Sequence, residues 1–287
     1  MGSADHAAAE TAPGTQRSPA RPIVEPPHFR RGEGRERKTT WLELFFDLVF
    51  VVAVEQVARR LEGPVTADAV LGFAVLAAPV WWAWVGYVYY KDRFGTDDLS
   101  DRLLTLLQMG AALALAVRAH DALEEGAAAF ALAYGAFRLI LTFRYVRAVM
   151  TDDEARRLAI PFAIGYGLAA PLWLASAAVP SPARFALWGA GFLVDLATPV
   201  AARRLNVEFP LNSAHLQERF GQFTLIVLGV GIVGVVEGLR DLHWAPGAGL
   251  TAALALVVAF ALWWVYFETL DVAGRSTRRA VGARGST

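Results

Sequence analysis

Long apolar runs alternate with short polar segments along almost the whole chain after residue 40. Eight of these runs are long enough to cross about 30 Å of hydrocarbon as a helix. The pattern predicts spans at residues 41–60, 67–90, 102–119, 126–149, 158–179, 184–202, 215–237 and 248–270. We therefore expect an all-α fold, a polytopic integral membrane bundle of about eight transmembrane helices.

The composition agrees with this fold class. The chain is 55% hydrophobic and only 19% charged, with nine Trp and a mean hydropathy of +0.39. A soluble protein of this length would carry a charge at about a quarter of its residues. The net charge is zero and gives no reason to expect nucleic acid as a partner, so the partner that we expect is the lipid bilayer.

The basic residues predict the orientation. Residues 1–40 lack an apolar run, which indicates a disordered basic tail and not a signal peptide. With this tail, the even-numbered loops and a second tail at 272–287 on one side, that side carries twenty Lys and Arg against five on the other. Basic loops stay in the cytoplasm. We expect both termini to be cytoplasmic.

Three carboxylates interrupt the first apolar run. Glu43, Asp47 and Glu55 lie at i, i+4 and i+12, and form an acidic stripe that drifts about 120° around a helix. Acidic side chains inside a membrane face protein or a water-filled path and not lipid. We expect this helix to carry the function, and Asp47 and Glu55 to contribute most.

Two further charged candidates are Arg138 in the fourth predicted span and Asp195 in the sixth. Arg138 is a candidate partner for the acids of the first span, and Asp195 is a candidate site residue in its own right. Two interpretations stay open. The acids either form buried ion pairs that hold helices together, or they bind and release protons or cations.

The seventh span echoes the first. Glu218 aligns with Glu43, Gln222 with Asp47, and Val230 with Glu55. His215, Glu218, Arg219 and Gln222 share one helix face, and either neutralise one another or face Glu43 and Asp47.

The two similar helices start six spans apart, so they cross in the same direction and predict a parallel repeat. The first membrane unit is then 41–202, and 203–271 begins a second unit that stops about four helices early. Association of several copies of the chain is one way to complete it.

At 43–51 (ELFFDLVFV) and 215–221 (HLQERFG), with Ile-Val-Leu-Gly behind it, the chain resembles the bacterial low-temperature-requirement A (LtrA) family from about Lys38 to Asp271. The resemblance implies a polytopic protein of a bacterial cell (inner) membrane and, from the family name, a link to growth in the cold. Members commonly have Leu-Gly-Glu where this chain has Leu228-Gly229-Val230.

Several chemistries are disfavoured by the residue pattern. The five His are scattered without ligand spacing, and there is no Cys, no phosphate loop and no Ser nucleophile motif. We expect no metal, no cofactor and no enzymatic activity. The leading hypothesis is a channel- or transporter-like protein for protons or small cations. The alternative is a non-transporting membrane scaffold or stress-response component.

Overall fold

The computed structural model describes residues 25–30, 38–95, 98–241 and 247–284. Within these ranges the chain is almost entirely helical, as predicted. The helices are α1 Trp41–Ala58, α2 Ala67–Arg93, α3 Leu99–Arg118, α4 Ala127–Val149, α5 Asp153–Ser176, α6 Ala183–Ala201, α7 Arg203–Glu208, α8 Ser213–Asp241 and α9 Ala248–Arg284. Two short strands, β1 His28–Phe29 and β2 Phe94–Gly95, pair antiparallel.

Each of the eight predicted spans forms a helix. By length and composition, α2, α3, α4, α5, α8 and α9 are apolar enough to cross a membrane. The first and sixth predicted spans, α1 and α6, are 18 and 19 residues long and carry charges in their interior. Asp47 of α1 and Asp195 of α6 form ion pairs within the bundle, which composition alone does not register.

α1 lies at the centre of the bundle and contacts α2, α3 and α8. On one side the packing continues from α3 through α4 and α5 to α6, and on the other side from α8 to α9. Arg219 near the start of α8 contacts α1 near its start, while Val227 further along α8 lines a cavity with Val54 near the end of α1. The two helices therefore run parallel, as expected for the repeat. The repeat itself stays a prediction.

The N-terminal segment differs from the expected disordered tail where it is described. β1 pairs with β2, which follows α2, and Arg30 N–H donates to the Arg93 carbonyl at 2.8 Å. The Phe29 ring packs edge-on against Phe209, with centroids 5.3 Å apart. Residues 25–30 thus lie across one end of the bundle, where backbone hydrogen bonds and an aromatic contact hold them in place. Residues 1–24 and 31–37 lie outside the described part.

Several helices extend beyond the predicted spans, among them α2, α3 and α9. α2 continues to Arg93 instead of ending at 90, and α3 begins at Leu99 instead of 102. α9 continues to Arg284, so most of the predicted C-terminal tail is helical. The first two extensions matter for function, since they turn charges that we assigned to a loop into buried helical side chains. We call this end of the bundle, at the starts of α1, α3 and α8, the charged end.

Candidate functional site

The buried ion pair between Asp47 of α1 and Arg219 of α8 is the central polar contact. Arg219 Nη2 donates to Asp47 Oδ1 at 2.5 Å, and both side chains are fully buried. The Trp84 indole N–H donates to the same oxygen from α2 at 2.8 Å. Among described residues, Asp47 Oδ2 and Arg219 Nε have no hydrogen-bond partner although both are buried. One carboxylate oxygen is therefore held by two helices, and the other is open to a further donor.

Glu43 joins this pair from the first turn of α1. Glu43 N–H donates to Thr40 Oγ1 at 3.3 Å, and Glu43 Oε2 accepts from Thr40 N–H at 2.9 Å. This reciprocal capping box is typical of a Thr-x-x-Glu sequence at a helix start. The other oxygen, Glu43 Oε1, lies 3.7 Å from Arg219 Nη1. We call Glu43, Asp47 and Arg219 the Asp47 cluster.

Tyr87 of α2 connects the Asp47 cluster to a second buried group. Its ring stacks on Phe46 with centroids 3.6 Å apart. The guanidinium carbons of Arg219 and Arg144 each lie 5.7 Å from the Tyr87 centroid. A cation within about 6 Å of an aromatic face is attracted by the ring quadrupole. One tyrosine therefore contacts two buried arginines that belong to different clusters.

The second group, which we call the Asp101 cluster, joins Lys91, Asp101 and Arg144. Lys91 Nζ donates to Asp101 Oδ2 at 2.7 Å, and Arg144 Nη1 donates to Asp101 Oδ1. Arg144 Nη2 also donates to Thr105 Oγ1 at 2.6 Å. Three residues further along α3, Gln108 is fully buried, and neither of its amide atoms has a partner in the part of the chain that is described. A polar stripe therefore follows α3 from the charged end inward.

Asp98 anchors the N-terminal segment beside this stripe. As the N-cap of α3, it accepts from Asp101 N–H at 3.0 Å, and its other oxygen accepts from Glu25 N–H at 2.9 Å. Burial alone would raise the pKa of the Asp98 carboxyl. Hydrogen bonds from the Ser100 hydroxyl and these two N–H groups, with nearby Arg147, hold the pKa below its ordinary value.

A third group, the Arg138 cluster, lies between α4 and α6. Arg138 Nε lies 2.9 Å from Asp195 Oδ2, and both side chains are fully buried. The Tyr134 hydroxyl donates to Asp195 Oδ2 at 2.8 Å and accepts from Arg138 Nη2 at 2.6 Å. The predicted pairing of Arg138 with the acids of the first span was therefore wrong. Asp47 is paired with Arg219 instead, because α8 and not α4 packs against its face of α1.

The polar face at the start of α8 is divided between several partners. His215 Nδ1 lies 2.9 Å from Asp92 Oδ1, and Asp92 Oδ2 accepts from Asn212 N–H at 2.9 Å. Glu218 is exposed and accepts from Gln222 Nε2 at 3.1 Å. Of the four residues predicted to act together, only Arg219 reaches Glu43 and Asp47.

Glu55 is separated from the other acids of α1. It pairs with Arg59 one turn later at 2.7 Å, and its side chain remains 33% exposed. Eight residues after Asp47, its side chain points about 80° away around the helix and lies near the opposite end of α1. The predicted joint role of Asp47 and Glu55 is thus not supported by their positions.

Two large cavities lie elsewhere. One of about 690 Å³ is lined mainly by apolar residues of α2, α5 and α6, among them Trp173 and Trp188. The other, of about 790 Å³, lies between the α1–α2 pair and the α8–α9 pair and is lined by residues such as Val54 and Trp81. Neither cavity is lined by a member of the three charged clusters.

A family model described as bacterial low temperature requirement A protein (LtrA) matches residues 38–286. This chain belongs to the LtrA family. An uncharacterized protein of Rhizobium meliloti (strain 1021) is similar to it, at 25% identity over 257 residues. The alignment covers 84% of this chain and 61% of the relative, so the chain spans about three-fifths of that protein's length. No solved structure matches the chain with significance.

The two stretches that carry the LtrA resemblance meet in space. Glu43 and Asp47 belong to the first stretch, Arg219 belongs to the second, and the three form the Asp47 cluster. Val230, which aligns with Glu55 in the predicted repeat, is partly buried and packs against the apolar core. In this LtrA-family chain the charged contact between the two motifs is therefore made by Glu43 and Asp47 with Arg219, and Val230 takes no part in it.

Sequence reasoning missed most of the Asp101 cluster. The predicted second span ends at residue 90 and left Lys91 in the following loop, and no pairing of Asp101 with Arg144 was expected. One available signal was the polar spacing of Asp101, Thr105 and Gln108 at i, i+4 and i+7 in an otherwise apolar helix.

Proposed function

We propose that this LtrA-family membrane protein moves protons or small cations without enzymatic chemistry, and that Asp47 is the residue at which they bind. The observation that supports this proposal is the second oxygen of Asp47, which is buried and has no hydrogen-bond partner among the described residues. Buried polar atoms are normally paired, and an unpaired one costs about 1–3 kcal/mol. A proton, a cation or a water molecule at Asp47 Oδ2 removes that cost.

The neighbouring polar groups support a route to this site. The α3 stripe leads from the charged end through Asp101 and Thr105 to Gln108. Tyr87 contacts Arg144 of the Asp101 cluster and Arg219 of the Asp47 cluster. Since intramembrane ionisable residues commonly mark ion or proton pathways, we infer that the stripe and the Asp47 cluster act as one path.

Flux into proteoliposomes tests the proposal. We expect the full chain to conduct protons or a small monovalent cation, and Asp47→Asn to abolish the flux because the binding carboxylate is lost. Glu55→Gln is the matched control, since it neutralises a partly exposed carboxylate on the same helix, and its flux should equal that of the wild type. Asp47→Glu keeps the charge and separates loss of the carboxylate from loss of the fold. Equal flux through folded Asp47→Asn and the wild type would contradict the proposal.

The second candidate function is a non-transporting scaffold or cold-response component. It is favoured by the two large apolar cavities, neither of which reaches a charged cluster. On this interpretation the buried charges only hold helices together. The two candidates differ in the proteoliposome experiment, because a scaffold gives the same background flux with and without Asp47.

We propose further that the charged end faces the cytoplasm of a bacterial inner membrane, as the distribution of Lys and Arg favours. The chain has no Cys, so single Cys residues report accessibility directly. Val65, 71% exposed, lies at the end opposite to Val207, which is 83% exposed. In intact cells a membrane-impermeant maleimide should label Val65→Cys and spare Val207→Cys. The reverse labelling would contradict the orientation.

A further inference from the structure

The last turns of α6 have two different faces. Asp195 and Thr198 point into the bundle and are buried. Ala197, Val200 and Ala201 are exposed on the opposite face, with Val200 62% exposed. The outward face is thus apolar, and its alanine side chains are small enough to leave space beside the helix.

Two arginines end this outward face. Arg203 and Arg204 follow α6 at the charged end, are exposed, and line a cleft of about 600 Å³ together with Ala197, Val200 and Ala201.

Neither arginine has an acidic partner within the described ranges. The nearest acid along the chain, Glu208, is paired with Arg157 at 3.0 Å. The cleft therefore has an apolar wall that continues the membrane-spanning face and two uncompensated positive charges at its rim.

An anionic phospholipid matches both parts of this cleft. Basic residues directly beyond a membrane span attract anionic headgroups, and an acyl chain packs against exposed aliphatic side chains. We propose that Arg203 and Arg204 bind the phosphate of an anionic phospholipid headgroup, with an acyl chain along Ala197 and Val200. The site is separate from the Asp47 cluster and does not depend on the proposed transport.

Native mass spectrometry of the purified full chain with added phosphatidylglycerol tests the site. The combined variant Arg203→Gln and Arg204→Gln should weaken binding of the first lipid roughly tenfold or more, since the two positive charges that attract the headgroup are lost. The combined variant Arg203→Lys and Arg204→Lys keeps the charge and should bind about as tightly as the wild type. Both positions are exposed, so the variants should retain the thermal unfolding midpoint measured without lipid.

Arg156→Gln is the matched control. Arg156 is also exposed at the charged end, but it is paired with Asp153 at 3.3 Å, so its loss should leave lipid binding unchanged. Three results would overturn the proposal: equal phosphatidylglycerol binding by the Gln variant, equal binding of phosphatidylcholine by the wild type, or displacement of the lipid by millimolar inorganic phosphate. The last result would indicate a site for free phosphate instead of a lipid.

Discussion

Arg219 and Asp47 are 172 residues apart in sequence, yet they form a direct ion pair across the α1–α8 interface with both side chains withdrawn from solvent. The pair joins the two stretches that carry the LtrA resemblance. It also attaches α8 to the remaining bundle through a charge contact, next to the packing of Phe220 and Phe223 against Trp84. The Asp47–Arg219 pair is therefore part of the proposed transport site and also joins two parts of the bundle.

Breaking this pair on one side should destabilise the fold strongly. Arg219→Met leaves Asp47 buried without its cation, and Asp47→Leu leaves Arg219 with only the longer 3.7 Å contact to Glu43. Breaking a buried pair in this way costs about 3–5 kcal/mol of unfolding free energy. The double variant removes both charges and should lose much less than the sum. A double-mutant cycle in detergent measures the coupling, and additive losses would show that the two side chains do not interact.

Glu55→Gln should change the unfolding free energy by less than about 0.5 kcal/mol, since the Glu55–Arg59 pair is a partly exposed i,i+4 contact. Asp47→Asn, on the same helix, should cost several times more because it is buried. Unfolding of the two variants under identical conditions gives the comparison. Equal effects would mean that burial does not distinguish the two carboxylates.

Gly86→Ala should destabilise the protein by about 1–3 kcal/mol through overpacking. A Cβ at Gly86 would lie 2.9 Å from Arg138 Nη1 and 3.1 Å from Leu141 Cδ2. Arg138 cannot easily move, since it is held by Asp195 and Tyr134.

Gly110→Ala in α3 is the control for this substitution. No atom lies within 4 Å of a Cβ added there, and Ala favours a helix over Gly by about 1 kcal/mol. Thermal unfolding should show a lower midpoint for Gly86→Ala and an unchanged or higher one for Gly110→Ala. A Gly86→Ala variant as stable as the wild type would contradict the tight packing around Arg138.

The N-terminal segment should detach from the bundle at acidic pH. The pKa of Asp98 is lowered by folding, so its contribution to stability is present above the ordinary Asp pKa of about 3.9 and is lost as the pH falls through the lower folded value. We expect the 25–30 segment to resist proteolysis at neutral pH and to be cleaved only in strong acid.

Asp98→Asn should make the same segment susceptible at pH 7. The amide weakens the contacts to Glu25 N–H and Arg147, because it accepts fewer hydrogen bonds and carries no charge. Limited proteolysis followed by mass spectrometry of the N-terminal fragment measures this. Full protection of the variant at neutral pH would mean that other contacts hold the segment.

The sequence was enough to predict the all-α membrane fold and the approximate position of each span, because apolar runs of about 20 residues have few alternatives to crossing a bilayer. The family could be predicted from the motifs at 43–51 and 215–221. That Asp47 and Arg219 need partners could also be predicted, since a charge in such a run is rarely left facing lipid. Helix ends were less accurate. Lys91 was assigned to a loop because a charged residue near a span end is compatible with either solvent or a buried partner.

The sequence by itself thus determined that the charges within the spans need partners, and the tertiary structure alone decided which partners they have. Asp47 reaches Arg219, and Arg138 reaches Asp195, because helix neighbours follow from the packing of whole faces and not from spacing along one helix. Glu55 has the same chemistry as Asp47 and lies on the same helix. It is partly exposed because the helix has turned and risen toward its other end by that point.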